Sequence, residues 1–308
     1  MQVTGRTHIG LEQLLQTRLW LHAGGAHRRH GSGGLLAGRQ LSRRHGQSSE
    51  FDQVRDYQQG DDARHIDWRA SARAGSIQSR LFRQELDRPL FILVEQSPAM
   101  FFASTGNFKS VQAALAASLF GWSAEAEHRR IGGLVFGSAN DRFIPAGRHR
   151  QALLHLLQAI AGANNALASP FDDTCGNPLL KALNDCRTQL LPGSLLVVIC
   201  SQSHLDPECS RLLSALSARH ESIWLPVSDP LEHALPARTA GFAGAGNRQL
   251  WLRHGQHVLQ HQWQHQAMQL ERRWQQLASQ QQAQLLPVCT SDNLAWRLAG
   301  FKEAGGVA

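Results

Sequence analysis

Apolar residues along this 308-residue chain fall into short unbroken runs of strand length and longer stretches with helical spacing. Residues 90–94, 131–136, 195–200 and 222–227 are of the first kind, and 142–144 predict a short strand pairing with the second of them. Between them, 107–127, 148–161, 179–191 and 207–219 carry the Leu/Ala periodicity of helices, as in Leu153, Leu156, Leu157 and Ile160. A strand that stays apolar at every position is buried on both faces. Its alternation with helices predicts an α/β fold: a doubly wound, mostly parallel sheet joined by right-handed crossovers. Sites in such sheets lie past the carboxyl ends of the strands, here the loops 95–106, 137–140, 201–206 and 228–232. The polar loop 163–177 reaches that edge only by packing across it.

The flanks read differently. Residues 11–22 predict a helix with Leu11, Leu14, Leu15, Leu19 and Trp20 on related faces, and 24–34 (GGAHRRHGSGG) have the composition of a loop. After the sheet, 249–253 predict one more strand and 257–286 a long Gln-rich helix. Its stripe of Trp263, Ala267, Leu270, Trp274 and Leu277 must pack on something.

Hydrophobic residues are 42% of the chain and charged residues 18%, which supports a sizeable core and argues against wholesale disorder. The net charge of +7 is carried mostly by arginine, with only Lys109, Lys181 and Lys302 as lysines. Residues 1–50 hold seven arginines against Glu12 and Glu50, so a basic arm precedes a nearly balanced body. Arm charge of this kind suits phosphates, anionic lipid or an acidic protein face equally well. With no aromatic interleaved beyond Trp20, no specific nucleic-acid role is expected. Five cysteines, an odd number with no CxxC pair, predict neither a disulfide framework nor a Cys-type zinc site, and point to a reducing compartment. The apolar stretch 14–21 is broken by Gln16, Thr17 and Arg18, unlike a signal peptide, and the run 113–122 is too short to span a bilayer. The expectation is a cytoplasmic protein, with membrane contact at most peripheral.

Chemical motifs are sparse. GxSxG, GxxxxGK[ST] and GxGxxG after a strand are absent, and GFAGAG at 241–246 opens no helix that could cradle a phosphate. Cys200, at a strand end, reads as a small core residue. His257, His261 and His265 share a helix face without a neighbouring carboxylate before Glu271, which reads as a solvated face. In 50–73, Asp56, Asp61, Asp62 and Asp67 alternate with Arg55, Arg64, Arg69 and Arg73. This is a structural ion-pair network, centred on Arg55, Asp61, Asp62, Arg64, Asp67 and Arg73, that clips an irregular segment onto the sheet domain. The alternative is a carboxylate cluster for metal or acid–base work.

The block EFDQVRDYQQGDDARHIDWRASAR (50–73) is followed by Phe82, Glu85, LFILVEQSPAM (90–100), Lys109, GGLVF (132–136), PGSLLVVI (192–199) and DPLE (229–232). Together, over about residues 36–300, these resemble the domain-of-unknown-function-58 family. The resemblance implies a von Willebrand factor type A-like, Rossmannoid core at about 88–229 and association with MoxR-type AAA+ ATPases. It divides the chain into a basic arm (1–46), a GDD/IDW segment packed on the core (47–87), the type A-like domain (88–232) and a C-terminal strand with helices (233–308).

Domains of that type hold a divalent cation through D-x-S-x-S plus a Thr and an Asp from later loops. Here the first motif reads Glu95-Gln96-Ser97-Pro98-Ala99, and Ser201-Gln202 stands where Ser-Asp is expected, with Thr174 beside Asp172 and Asp173 as the remaining hydroxyl. One hydroxyl and one charge are lost. The resemblance therefore implies a degenerate site of Glu95, Ser97, Thr174 and Gln202, with no cofactor beyond weak Mg²⁺. The expected function is a non-enzymatic adaptor for a MoxR-type ATPase and its client, with Met100, Phe101, Phe102, Asp172, Asp173 and Ser201 on the contact edge. Two alternatives stay open: a metal-dependent hydrolase using Asp61, Asp62 and Asp67, and a nucleic-acid-associated protein acting through the arm.

Overall fold

The computed structural model describes residues 7–23, 45–58, 66–83, 88–148, 150–167, 176–235, 241–245, 248–252 and 257–294. The chain divides into two compact units, Gly38–Asp87 and the remainder, Met1–Ala37 with Arg88–Ala308. The larger begins with α1 (Leu11–Gln16) and α2 (Arg18–Ala23).

The smaller unit is a hairpin with a helical insert: β1 (His45–Asp56), α3 (Trp68–Ala74) and β2 (Gln78–Arg83), with β1 and β2 antiparallel. The expectation of an irregular segment is corrected here. Asp67 starts α3 by accepting from the N–H groups of Arg69 and Ala70, and Gly75 ends it in the left-handed conformation.

The core of the larger unit runs β3 (Leu90–Glu95), α4 (Lys109–Ala126), β4 (Ile131–Phe136), β5 (Arg142–Gly147), α5 (Arg150–Ala166), α6 (Pro178–Cys186), β6 (Leu195–Ser201), α7 (Pro207–Ser217), β7 (Glu221–Ser228) and α8 (Pro230–His233). A separate antiparallel pair follows, β8 (Gly241–Ala245) and β9 (Arg248–Leu252), then α9 (His257–Gln281), β10 (Gln284–Leu285) and β11 (Val288–Cys289). The glycine-rich run at 241–246 thus supplies a strand, partner to the one expected at 249–253.

The main sheet has the order β10-β7-β6-β3-β4-β5, with β11 also on β7, and every pairing is parallel except β4 with β5. This is the doubly wound, von Willebrand factor type A-like arrangement, with its strand order reversing between β3 and β6. Strands β3, β4 and β6 are buried at every position because helices cover both faces. Leu90, Ile92 and Val94 point into one layer with α4 and α5, while Phe91 and Leu93 point into the other with α6, α7 and α9. At one edge, β5 carries Pro145 and a bulge opposite Gly132. At the other, β10 and β11 are two short pieces separated by Leu286 and Pro287.

The helix expected at 11–22 breaks at Thr17. The Leu14 carbonyl there accepts from the Thr17 and Ser118 hydroxyls and from the Trp122 ring N–H, so side chains of α4 claim the acceptor a continuous helix would use. The stripe of α9 packs on the core: Trp274 is buried against Trp224, ring centroids 6.1 Å apart, with Leu270 and Leu277 beside it. His261 and His265 are exposed, and the side chain of His257 lies outside the described residues. The helix stops at Gln281 rather than 286 because Gln282 turns left-handed (φ 52°) and the chain re-enters the sheet as β10. Among the described residues, no helix is long and apolar enough to cross a membrane.

Candidate functional site

The crevice at the strand-order reversal is where a doubly wound sheet places its site. Its floor is Glu95, the last residue of β3, which is fully buried. The carboxylate accepts from the Ser97 hydroxyl (2.5 Å) and the Ser201 backbone N–H (2.7 Å), and His204 Nδ1 stands 3.1 Å from it. Burial alone would raise the Glu95 pKa. The hydrogen bond and charge of His204, together with the Ser97 and Ser201 donors, outweigh that and hold it below its ordinary 4.5. An ionised carboxylate only accepts, so Nδ1 of His204 carries the proton.

The neighbouring positions are also engaged. Gln96 donates to the Ser110 carbonyl and accepts from Asn164, whose own oxygen accepts from the N–H of Ile9. Ser201 Oγ lies 2.9 Å from Ser203 Oγ and 3.4 Å from Lys109 Nζ. Lys109, at the first turn of α4, is only 2% exposed, and its ammonium pairs with Glu232 at 2.5 Å. Beside it Asp229 accepts from the N–H and hydroxyl of Ser104, the hydroxyl of Thr290 and the N–H of Leu231. Those donors hold its pKa below the ordinary value in spite of burial. The pair Asp229 and Glu232 forms a capping box on α8, which fixes Glu232 opposite Lys109.

A Mg²⁺ ion needs open oxygen ligands, usually one or two carboxylates with retained waters. Both Glu95 oxygens already face protein donors, and the Lys109 ammonium stands 3.4 Å from the Ser201 hydroxyl. The described residues at this crevice do not fit a divalent cation. Among the described residues, no group of three or more His, Cys, Asp and Glu side chains could hold a metal ion. Gln202 is buried with its carbonyl accepting from the Trp274 ring N–H. Thr174, Asp172 and Asp173 lie outside the described residues.

Of the expected contact edge, Met100 is fully buried in the core and so cannot be a contact residue, which corrects that assignment. Phe101 packs edge-on to Phe108, centroids 4.9 Å apart, and to His8 at 5.2 Å. Phe102 is 41% exposed, while Ser201 is buried. Cys200 is buried, and burial, with Glu95 nearby, pushes its thiol well up, which removes thiolate chemistry there.

In the smaller unit Asp67 serves as the helix cap, Asp56 accepts from Ser76 and Gln78, and the Nε of Arg73 donates to the Arg69 carbonyl. Asp61, Asp62, Arg64 and the side chain of Arg55 lie outside the described residues. The sequence reading missed His204, the Lys109–Glu232 pair and the Ser104–Asp229–Thr290 cluster. The D-P-L-E spacing at 229–232 is itself a capping-box signal. Nothing local ties His204 to Glu95, 109 residues earlier.

Residues 53–284 match the profile of the family described as "Protein of unknown function DUF58". Two mycobacterial proteins, Uncharacterized protein Rv1480 of Mycobacterium tuberculosis (strain ATCC 25618 / H37Rv) and Uncharacterized protein Mb1516 of Mycobacterium bovis, are each 29% identical over 204 residues, 66% of this chain. The match spans 62% of those relatives' own length. Among solved structures, BatB from Bacteroides thetaiotaomicron aligns at 13% identity and TM-score 0.43, covering 71% of this chain and 98% of that one. An aerotolerance-related membrane protein from Bacteroides fragilis aligns at 14% identity and TM-score 0.46, with the same coverages. With three quarters of its length matched by the profile, and with the strand order and crevice described above, the chain belongs to the DUF58 family.

Proposed function

We propose that this chain is a protein-interaction adaptor whose sheet-rim loops dock a MoxR-type AAA+ ATPase or that ATPase's client. The Glu95 crevice and the loop between β3 and α4 then serve recognition rather than turnover. The observation that carries this reading is the saturated Glu95 carboxylate. Its oxygens are committed to Ser97, Ser201 and His204, so among the described residues Glu95 is engaged in tying the loops around it together. Phe102 stands exposed on the loop between β3 and α4, where an apolar side chain can anchor a partner. The ATPase supplies work, and this chain presents the client.

The test is co-purification of the full chain with a MoxR-type AAA+ ATPase from the same organism, without nucleotide and with ADP or a non-hydrolysable ATP analogue. Association should weaken about tenfold or more in Phe102→Asp, as for an apolar anchor at an interface centre. Absence of association in every nucleotide state overturns the proposal.

A further inference from the structure

At the far end of the same sheet edge, strand β7 ends in Ser228, whose Oγ lies 2.8 Å from Nε2 of His233. The other ring nitrogen of His233, Nδ1, lies 3.0 Å from Glu271 Oε1 on α9. Hydroxyl, imidazole and carboxylate therefore stand in series, assembled from a strand end, the short helix α8 and the long C-terminal helix. All three line a cavity of about 270 Å³, walled by Pro226, Trp274, Pro287 and Val288, with Gln275 also lining it. We propose that this cavity is an acyl-transfer site for a small, largely apolar ester, with Ser228 as nucleophile, His233 as general base and acid, and Glu271 as the positioning residue.

The geometry sets the protonation states. An ionised Glu271 can only accept, so it takes the proton on Nδ1, and the Nε2 lone pair is left facing the Ser228 hydroxyl. Ser228 sits where a strand turns into a helix; it is only 3% exposed, so its hydroxyl is reached through the cavity that it lines. Folding gives no strong reason for the alignment. The His233 and Glu271 side chains are 33% and 45% exposed, and an ion pair that open to water contributes little to stability. The cavity is slightly smaller than pockets for drug-sized ligands and its walls are apolar, which selects a short acyl chain.

In the proposed reaction Ser228 Oγ attacks the ester carbonyl carbon while its proton moves to His233 Nε2. The bond from that carbon to the alcohol oxygen breaks, and the leaving alkoxide takes the proton from His233. Water then attacks the acyl carbon, gives a proton to His233 and releases the carboxylic acid, and the proton returns to Ser228. Ester and water become acid and alcohol, with no other reactant. The site is separate from the docking reading, and neither depends on the other.

The experiment treats the full chain with a fluorophosphonate probe, locates the adduct by peptide mass spectrometry, and follows p-nitrophenyl butyrate hydrolysis in parallel. The expected result is an adduct on Ser228 that is absent in Ser228→Ala. Its rate should fall about a hundredfold in His233→Gln, the range for loss of a general base. Glu271→Gln should slow labelling, and Glu271→Asp should restore part of the rate. His233 is partly exposed, so its variant should keep the wild-type melting temperature. No adduct on Ser228 in the folded wild type, or labelling undiminished in His233→Gln, overturns the proposal.

Discussion

Replacing His204 with alanine strips Glu95 of the partner that most favours its ionised form. The carboxylate is fully buried and keeps only the Ser97 hydroxyl and the Ser201 N–H. Breaking a wholly buried ion pair costs about 3–5 kcal/mol. The His204 side chain, however, is 17% exposed, so water can enter the gap it leaves. The loss should therefore approach the cost of an unmade hydrogen bond to a buried group, about 2 kcal/mol at pH 7. The pH dependence gives a sharper reading. In the wild type the folded Glu95 pKa lies below 4.5, so the unfolded chain binds that proton more readily. Ionised Glu95 therefore contributes stability that is present above 4.5 and is lost as pH falls through the lower, folded value. In His204→Ala burial still raises the pKa while its largest opponent is gone, so this acid-dependent loss should shrink or change sign. Urea unfolding of both proteins between about pH 3 and 7 measures the difference, with Glu95→Gln as the non-titrating control. Parallel pH profiles, or a His204→Ala variant as stable as wild type at neutral pH, would refute the reasoning.

Three further outcomes are expected. Millimolar Mg²⁺ should leave the melting temperature of the wild type unchanged, because both Glu95 oxygens are occupied; a shift of several degrees would mean that they are free to ligate. Gly106→Ala should destabilise by about 3 kcal/mol in thermal unfolding, since φ is +75° and a Cβ would fall 2.1 Å from the Thr290 carbonyl oxygen; a change of about 0.5 kcal/mol or less would contradict this. Asp67→Ala should cost about 1 kcal/mol by uncapping α3, and hydrogen exchange should show the Arg69 and Ala70 amides losing protection.

What could be read from the sequence depended on how strongly each element's burial is written in its residues. Strands β3, β4, β6 and β7 are enclosed by helices, so their apolar runs are unbroken and their boundaries fall within a residue or two of the expected ones. Strands β10 and β11 have two residues each and exist only because β7 offers them partners, so no periodicity could announce them. The break at Thr17 is a tertiary effect, set by hydrogen bonds from α4 more than a hundred residues away. At the crevice, Glu95, Ala99 and Gln202 were legible as departures from the pattern that the family resemblance implies. The contacts there were not, since His204 meets Glu95 and Lys109 meets Glu232 only through the fold.

Both margins of the main sheet are interrupted by proline: Pro145 within β5, and Pro287 between β10 and β11. Proline has no amide hydrogen to offer, so neither margin presents an unbroken ladder for an incoming strand. That weakens the margins as templates for an incoming strand, whether from a binding protein or from an identical copy. The loops at the ends of the strands carry no such backbone ladder, so sequence can diverge there without loosening the platform beneath.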